Sequence, residues 1–331
     1  MIQLQVCPST LADGFDTYSP EARKRLFDGK AVSHYMEVPS PSTDSEEAKE
    51  AIQNASRISL SGVQPKFSVL VDNLCLRYTK EDETGTFILK PRPNGYHILN
   101  KDYCAANEHL TMQIASQVFG IETAVNGLCF YANDEAAYLT RRFDITPKGK
   151  RQQEDFASLM GYTKMNGGSD YKYCNGSYEE CGEVIRRFVK AAPIDLLRFF
   201  RLVVFNFISL NDDAHLKNFT LVNEGEEYRL SPAYDLINTS LHLLKPGIFA
   251  LDKGLFREGM SFSDTQTIRR TDFEEFGKRM GLSEKLIKRE LDRFASKNPL
   301  IDGLISRSFL SEDLKRQYRL SMSYRQKMLG F

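Results

Sequence analysis

The sequence predicts an α+β fold of two lobes, a small β-rich one followed by a larger helical one, and three observations carry that expectation. Between Ile58 and about Phe143, short alternating apolar segments dominate and one amphipathic helix interrupts them. Beyond Phe143 the apolar spacing turns helical. Within that half, the polar loop Asn211-Asp212-Asp213-Ala214-His215-Leu216-Lys217-Asn218 hangs between a nearly uniformly apolar helix and a hairpin-like segment, and Tyr234-Asp235-Leu236 follows. With 331 residues and 41% apolar content, the chain can bury a sizeable core in one large domain or two lobes.

Taken in order, residues 1–55 read as an appendage. They hold a short helix around Pro20–Phe27, then the Pro/Ser cluster Pro39-Ser40-Pro41-Ser42-Thr43-Asp44 and the acidic pair Glu46-Glu47, a linker composition. Residues 56–144 form the expected small lobe, with strands at Phe67–Val71, Cys75–Tyr78, Thr86–Lys90, Leu128–Tyr131 and Ala137–Thr140. Its helix runs from Glu108 to Phe119, with Leu110, Ile114 and Val118 on one stripe and Gly120 as the stop. Residues 145–331 form the larger lobe, which opens with a Gly/Tyr-rich loop from Gly161 to Tyr178 and a helix to about Lys190. The run Ile194–Ile208, opened by Pro193, is apolar on nearly every face and reads as a buried helix. Arg198 and Arg201 interrupt it and it falls short of the roughly 20 residues a bilayer requires, so no membrane span is expected. Phe219–Asn223 and Tyr228–Ser231 flank a turn, Thr271-Asp272-Phe273-Glu274 reads as a capping box, and Leu304–Leu329 carries helical spacing.

The charge balance excludes some functions. Lys and Arg total 44, Asp and Glu total 44, so no global basic field argues for direct nucleic-acid contact. The six cysteines, Cys7, Cys75, Cys104, Cys129, Cys174 and Cys181, include no C-x-x-C pair, which disfavours a zinc ribbon or a thioredoxin-type site. The first residues lack a basic region followed by a long apolar segment, and a cytoplasmic location is expected.

Asp213 and Asn218 are five residues apart, a spacing at which one loop can aim a carboxylate at a hydroxyl nucleophile and an amide at a phosphate-bound metal. Asp235 then offers a second metal ligand. Buried helix, polar loop, hairpin and metal-binding Asp follow the order of a kinase C-terminal lobe. In the small lobe, Lys90 ends a strand, where an ammonium reaches nucleotide phosphates, and Glu108 opens the helix that could pair with it. Lys217 is a candidate for neutralising charge on the migrating phosphoryl group. His215 either orients the loop by hydrogen bonding or takes part in the site.

Five blocks in order, Ser59–Lys66, Phe87–Pro91, Arg141–Asp144, Asp213-x-His215-x-Lys217-Asn218 and Ala233–Leu236, resemble the HipA family of serine/threonine kinase toxins. The resemblance covers roughly residues 56 to 320, and its shape is similar to the HipT branch, in which a small separate protein, HipS, resembles a subdomain that the kinase lacks. It implies a protein-kinase-like, HipA-like fold that uses ATP and Mg2+. Asp213 would be the catalytic base assisted by Lys217, with Asn218 and Asp235 as metal ligands. Lys90, Gln64, Lys66 and His215 would lie at the nucleotide, backbone groups near Arg141 and Phe143 would hold adenine, and Asp144 would meet the ribose. Arg141 stands where the family often has an acidic residue, a departure that touches only a side-chain role. The Ser59–Lys66 block carries one glycine and matches neither common phosphate-loop pattern. In the family the corresponding loop is autophosphorylated, which marks Ser59 and Ser61, where added negative charge would repel nucleotide phosphates.

The resemblance further implies a type II toxin–antitoxin kinase that phosphorylates a protein, the family precedent being an aminoacyl-tRNA synthetase, with a HipS-like protein and a HipB-like DNA-binding antitoxin as partners. A weakly active or inactive scaffold, acting as corepressor with such an antitoxin, is the alternative. A small-molecule or lipid kinase fits the catalytic residues but not the Ser59–Lys66 block.

Overall fold

The computed structural model describes residues 3–36, 38, 40–41, 64–95, 97–173, 176–260 and 268–330, and the backbone of 57–59. Most of the expected linker, with Ser42, Thr43, Asp44, Glu46 and Glu47, lies outside these residues, as do Ser61, Cys174 and the side chain of Ser59.

The small lobe is built on a six-stranded antiparallel sheet of β1 (Arg57–Ser59), β2 (Lys66–Asp72), β3 (Cys75–Tyr78), β4 (Phe87–Lys90), β5 (Asn126–Phe130) and β6 (Ala136–Arg141), in the order β1-β2-β4-β6-β5 with β3 also paired to β2. Both faces are covered. Phe87 and Leu89 of β4 and Ala137 and Leu139 of β6 pack with residues of the first 36 positions, including Cys7, Tyr18, Leu26 and Phe27. Successive strand residues face opposite ways, so Lys90 and Tyr138 point to the other face, where helix α2 (Cys104–Gln117) lies.

The segment read as an appendage forms the outer layer of this lobe. Its helix α1 (Pro20–Phe27) starts where Ser19 Oγ accepts the Ala22 N–H at 3.2 Å, and Tyr18 donates its hydroxyl to the Leu128 carbonyl at 2.7 Å. A Cβ at Gly127 would meet the Pro8 carbonyl at 3.1 Å, so a side chain here would crowd the segment that crosses β5.

Helix α2 begins four residues before the expected start, which places Glu108 in its second turn rather than at its head. The small residues Cys104, Ala105 and Ala106 continue the helix upstream against the core, and packing decides the boundary. At the other end Gly120 turns left-handed with φ +55°, as its stop position requires.

A short hairpin, β7 (Ile145–Thr146) and β8 (Gly149–Lys150), leads into β9 (Gln153–Asp155) and the one-turn helices α3 (Phe156–Leu159) and α4 (Lys164–Gly167). Helix α5 (Tyr178–Phe188) opens with a capping box in which Ser177 Oγ accepts the Glu180 N–H and the Glu180 carboxylate accepts the Ser177 N–H at 2.9 Å. Helix α6 (Ala192–Ile208) is the buried rod the sequence predicts, with Phe199 packed tilted against Phe156 and Tyr178 and edge-on against Phe219. Its two arginines are matched by partners: Arg198 reaches Asp195 and Glu122, and Arg201 grips Glu290 through two bonds of 2.7 and 2.9 Å. Among the described residues no helix is long and apolar enough to cross a membrane.

Strands β10 (Thr220–Glu224) and β11 (Glu227–Leu230) form the expected hairpin, and β9 joins it as a third strand. Helices α7 (Arg270–Arg279), α8 (Glu284–Ala295), α9 (Pro299–Arg307) and α10 (Glu312–Met328) complete the lobe. The expected capping box at Thr271 is displaced: the helix opens at Arg270, Thr271 lies inside the first turn, and Asp272 accepts the Arg269 backbone N–H at 2.7 Å. The Leu304–Leu329 spacing belongs to two helices, because Ser308 leaves the helical backbone with ψ 162° and Ser311 caps a new start.

Candidate active site

Where the lobes meet, strand β4 delivers Lys90 between two carboxylates. Its ammonium is 2.6 Å from Glu108 Oε1 on α2 and in a very short contact with Asp235 Oδ1. Lys66, at the head of β2, bonds the other Asp235 oxygen at 3.1 Å. Burial alone would raise the Asp235 carboxyl, but Lys66 and Lys90 outweigh it and hold the group far below the usual carboxylate range. Burial likewise opposes the charge of Lys90, and Asp235 and Glu108 reverse that effect and lift it well above the ordinary lysine value. Glu108 is pushed up, because desolvation exceeds the help it receives from Lys90. Asp235 is therefore the firmly ionised partner and Glu108 the more easily protonated one.

Asp235 has φ +55°, a left-handed conformation uncommon outside glycine. Surrounding contacts impose it. Tyr234 donates its hydroxyl to the Lys217 carbonyl at 2.9 Å, the Ala233 carbonyl accepts the Ala124 N–H at 2.9 Å, and beyond Asp235 the side chain of Asn107 bonds both the carbonyl and the N–H of Asn238. Asn107 precedes Glu108 on α2, so one helix turn holds the lysine partner and docks the Asp235 loop.

The second loop leaves α6 through Leu210, also left-handed with φ 56°. Asn211 ties it down: its amide donates to Asn206 Oδ1 at 3.0 Å and to the Asp235 carbonyl at 3.4 Å, while its Oδ1 accepts the Asp213 N–H at 3.3 Å. A single 3-10 turn, Leu216–Asn218, then folds the chain back so that Asn218 donates to the Asp213 carbonyl at 3.1 Å. That bond uses the amide NH2 group and leaves the amide oxygen to face a cation. The five-residue spacing thus closes one compact loop.

Asp213 is pushed up by burial, and its Oδ1 accepts the Tyr173 hydroxyl at 2.6 Å. His215 is buried with its ring edge-on to Tyr173 at 5.0 Å, and burial and the nearby Lys172 charge depress its titration to about 3, so the ring is neutral at pH 7. Lys217 pairs with Asp155 at 3.4 Å and with the Tyr171 hydroxyl at 3.4 Å.

The remaining candidates divide. Gln64 donates to the Pro91 carbonyl at 3.0 Å, just past Lys90. Arg141 turns its guanidinium away from the cleft edge onto α1, gripping Asp28 at 2.8 and 2.9 Å and the carbonyls of Arg25 and Leu26. A cation here neutralises a helix C-terminus, which accounts for Arg at this position. Asp144 is buried with its carboxylate held by Arg142 at 2.6 and 3.0 Å, and Phe143 packs on Tyr234 with ring centres 5.8 Å apart. Ser59 ends β1, and neither its side chain nor Ser61 is described. Asn107, Asn206, Asn211, Tyr171 and Tyr173 were not singled out from the sequence. Asn211 opens the Asn-Asp-Asp triplet and carries a turn signal, whereas the tyrosines lie 40 or more residues from the groups they touch, where no local pattern reaches.

No cluster of three acidic, histidine or cysteine ligands occurs among the described residues. One carboxylate and one amide, facing two lysines, still suit Mg2+ with nucleotide, since that ion takes one or two protein ligands and completes its shell with phosphate and water. The donor set fits Mg-ATP better than a free metal.

Fold and site together define a two-lobed, protein-kinase-like molecule. Residues 58–299, well over half of the chain, match the HipA-like C-terminal domain, and the chain belongs to that family. It is 27% identical over 280 residues, 78% of each chain, to a Haemophilus influenzae protein named "Putative kinase". It is 30% identical over 265 residues to the Sinorhizobium fredii "Putative kinase Y4dM", covering 75% of this chain and 59% of that one. Among solved structures, a chain from the Shewanella oneidensis complex of HipA, HipB and operator DNA matches with a TM-score of 0.64 at 20% identity over 88% of this chain and 74% of its own. The Helicobacter pylori proinflammatory kinase CtkA matches with a TM-score of 0.53 at 15% identity, over 80% of this chain and 88% of its own. At these identities the two structures speak for the fold.

Proposed function

We propose that the protein transfers the γ-phosphoryl group of Mg-ATP to a serine or threonine hydroxyl of another protein. The observation that carries this reading is the Lys66–Asp235–Lys90–Glu108 chain of charges beside the Asp213–Asn218 loop. When bound, Mg-ATP supplies the phosphoryl group and the cation that screens its charge. Lys66 and Lys90 would hold phosphate oxygens in place of Asp235, whose carboxylate would then be a ligand for the metal. Glu108 keeps Lys90 aimed into the cleft during that exchange. Asn218 would offer its amide oxygen to the same cation, and Asp213 would receive or orient the proton of the attacking hydroxyl. Backbone groups near Arg141 and Phe143 would hold the base, with Asp144, whose carboxylate is oriented by Arg142, at the ribose.

The fold shared with a HipA of a HipA–HipB–operator complex supports reading the protein as a toxin of a type II toxin–antitoxin system with a HipB-like DNA-binding partner, and the sequence resemblance extends the proposal to a HipS-like small protein as partner and an aminoacyl-tRNA synthetase as the substrate class. Autophosphorylation of Ser59 or Ser61 would place nearly two negative charges beside the Lys66 segment and oppose nucleotide binding. The test is intact mass before and after phosphatase treatment and then Mg-ATP, beside Asp213→Ala. Gain in units of one phosphate by the native protein alone is expected. Retained ATP binding with no gain, on itself or on added protein, refutes the kinase and favours the corepressor scaffold.

A further inference from the structure

One short segment occupies both side chains on which the loop chemistry depends. Tyr173 donates its hydroxyl to Asp213 Oδ1 at 2.6 Å, and two residues earlier the Tyr171 hydroxyl lies 3.4 Å from Lys217 Nζ, with the ammonium 6.0 Å from the ring centre. The segment is strapped from both sides. The Lys172 carbonyl accepts the Leu216 N–H at 3.1 Å, and the Tyr173 carbonyl accepts the Asp252 N–H at 3.1 Å. The Tyr173 ring stands edge-on to His215, which fixes the direction of the hydroxyl.

A hydroxyl 2.6 Å from a catalytic carboxylate stands where an acceptor hydroxyl must stand to lose its proton. We propose that the ledge formed by Asp213, Lys217, Tyr171 and Tyr173 is the acceptor subsite, built for a hydroxyl-bearing side chain on an extended protein segment, and that Tyr173 is its resident occupant. An incoming serine or threonine hydroxyl takes over the bond to Asp213 Oδ1 only when the Tyr173 hydroxyl leaves it. Tyr171 leaves Lys217 in the same movement, in which the segment lifts as a unit and releases the Leu216 and Asp252 amides. The resting site is thus closed to acceptors by a segment that makes no bond, among the described residues, to the nucleotide residues Lys66, Lys90 and Asp235. The proposal rests on the kinase reading and adds the location and control of its second substrate.

The test compares the native protein with Tyr173→Phe, which keeps the ring on His215 and deletes the hydroxyl. Phosphate transfer from Mg-ATP to a mixture of serine- and threonine-centred peptides with random flanks is measured as KM and kcat for each substrate, together with amide hydrogen exchange at Leu216 and Asp252. A bond from a hydroxyl to a charged carboxylate is worth roughly tenfold or more in equilibrium. The variant is expected to show a peptide KM lower by about that factor, with ATP KM unchanged within twofold and faster exchange at both amides. An unchanged peptide KM, or a fall in kcat as for a residue that merely orients Asp213, overturns the proposal. Recovery of phosphate on Tyr173 itself also overturns it, since the residue is then an acceptor rather than the occupant. If neither protein transfers phosphate to peptides or to itself, the kinase reading falls and takes the subsite with it; transfer by both with equal peptide KM sinks the subsite alone.

Discussion

Replacing Lys90 by methionine removes the single cation between two carboxylates and leaves their fates unequal. Asp235 keeps Lys66 at 3.1 Å, whereas Glu108, whose side chain is 5% exposed, loses its close cationic partner. A buried charge stripped of its partner costs about 3–5 kcal/mol. Losing Lys90 lifts the already raised Glu108 carboxyl further, so in the variant it holds its proton to a higher pH than in the native protein. The sign follows: a folded value above the unfolded one means the burial is tolerated when the group is protonated, and stability is lost as pH rises through the folded value. Urea unfolding followed by circular dichroism should therefore show Lys90→Met less stable than the native protein by about 3–5 kcal/mol at pH 8, with most of the difference gone at pH 5. Adding Glu108→Leu should restore most of the loss at pH 8, because two apolar groups replace one orphaned charge. A difference of equal size at both pH values, or a double variant no better than the single one, would refute the argument that the unpaired carboxylate is the cause.

Two further outcomes follow from groups outside the cleft. Arg141→Ala should cost about 1–2 kcal/mol, the value of a half-exposed bidentate pair plus a helix C-terminus left uncapped, while ATP affinity by calorimetry stays within twofold; a large loss of affinity would give the side chain a nucleotide role. His109 is fully buried and donates from Nε2 to the Ser9 carbonyl at 2.8 Å, and burial depresses its titration to about 4. Its contribution is present above the unfolded value near 6.5 and fades as pH falls toward 4, so unfolding free energy should drop by about 2 kcal/mol on this account between pH 7.5 and 5. His109→Gln can still donate to Ser9 and cannot titrate. An equally steep acid decline in that variant would show that His109 is not responsible.

The short strands of the small lobe, the buried helix α6, the β10–β11 hairpin and the helix at Pro20 were legible because each depends on spacing and capping within a dozen residues. The sequence placed Asp213 and Asn218 in one loop, and the 3-10 turn that bonds the Asn218 amide to the Asp213 carbonyl came only with the structure. Where packing competes with local signals, the sequence reading slipped: α2 starts upstream of Glu108 against the core, and α7 starts at Arg270, upstream of Thr271.

What the chain determined by itself was the set of chemical groups and the order in which they arrive. Lys90 at a strand end, Asp213 and Asn218 in one loop, and Asp235 after a hairpin are local facts. Only the tertiary structure decided which charges meet. Lys66 and Lys90 converge on Asp235 from 169 and 145 residues away, Arg141 is claimed by α1, Asp144 by Arg142, and Lys217 by Asp155. The reason is physical: a buried charge must find an opposite charge or a hydrogen bond wherever the packed core brings one within reach, and sequence separation places no limit on that search.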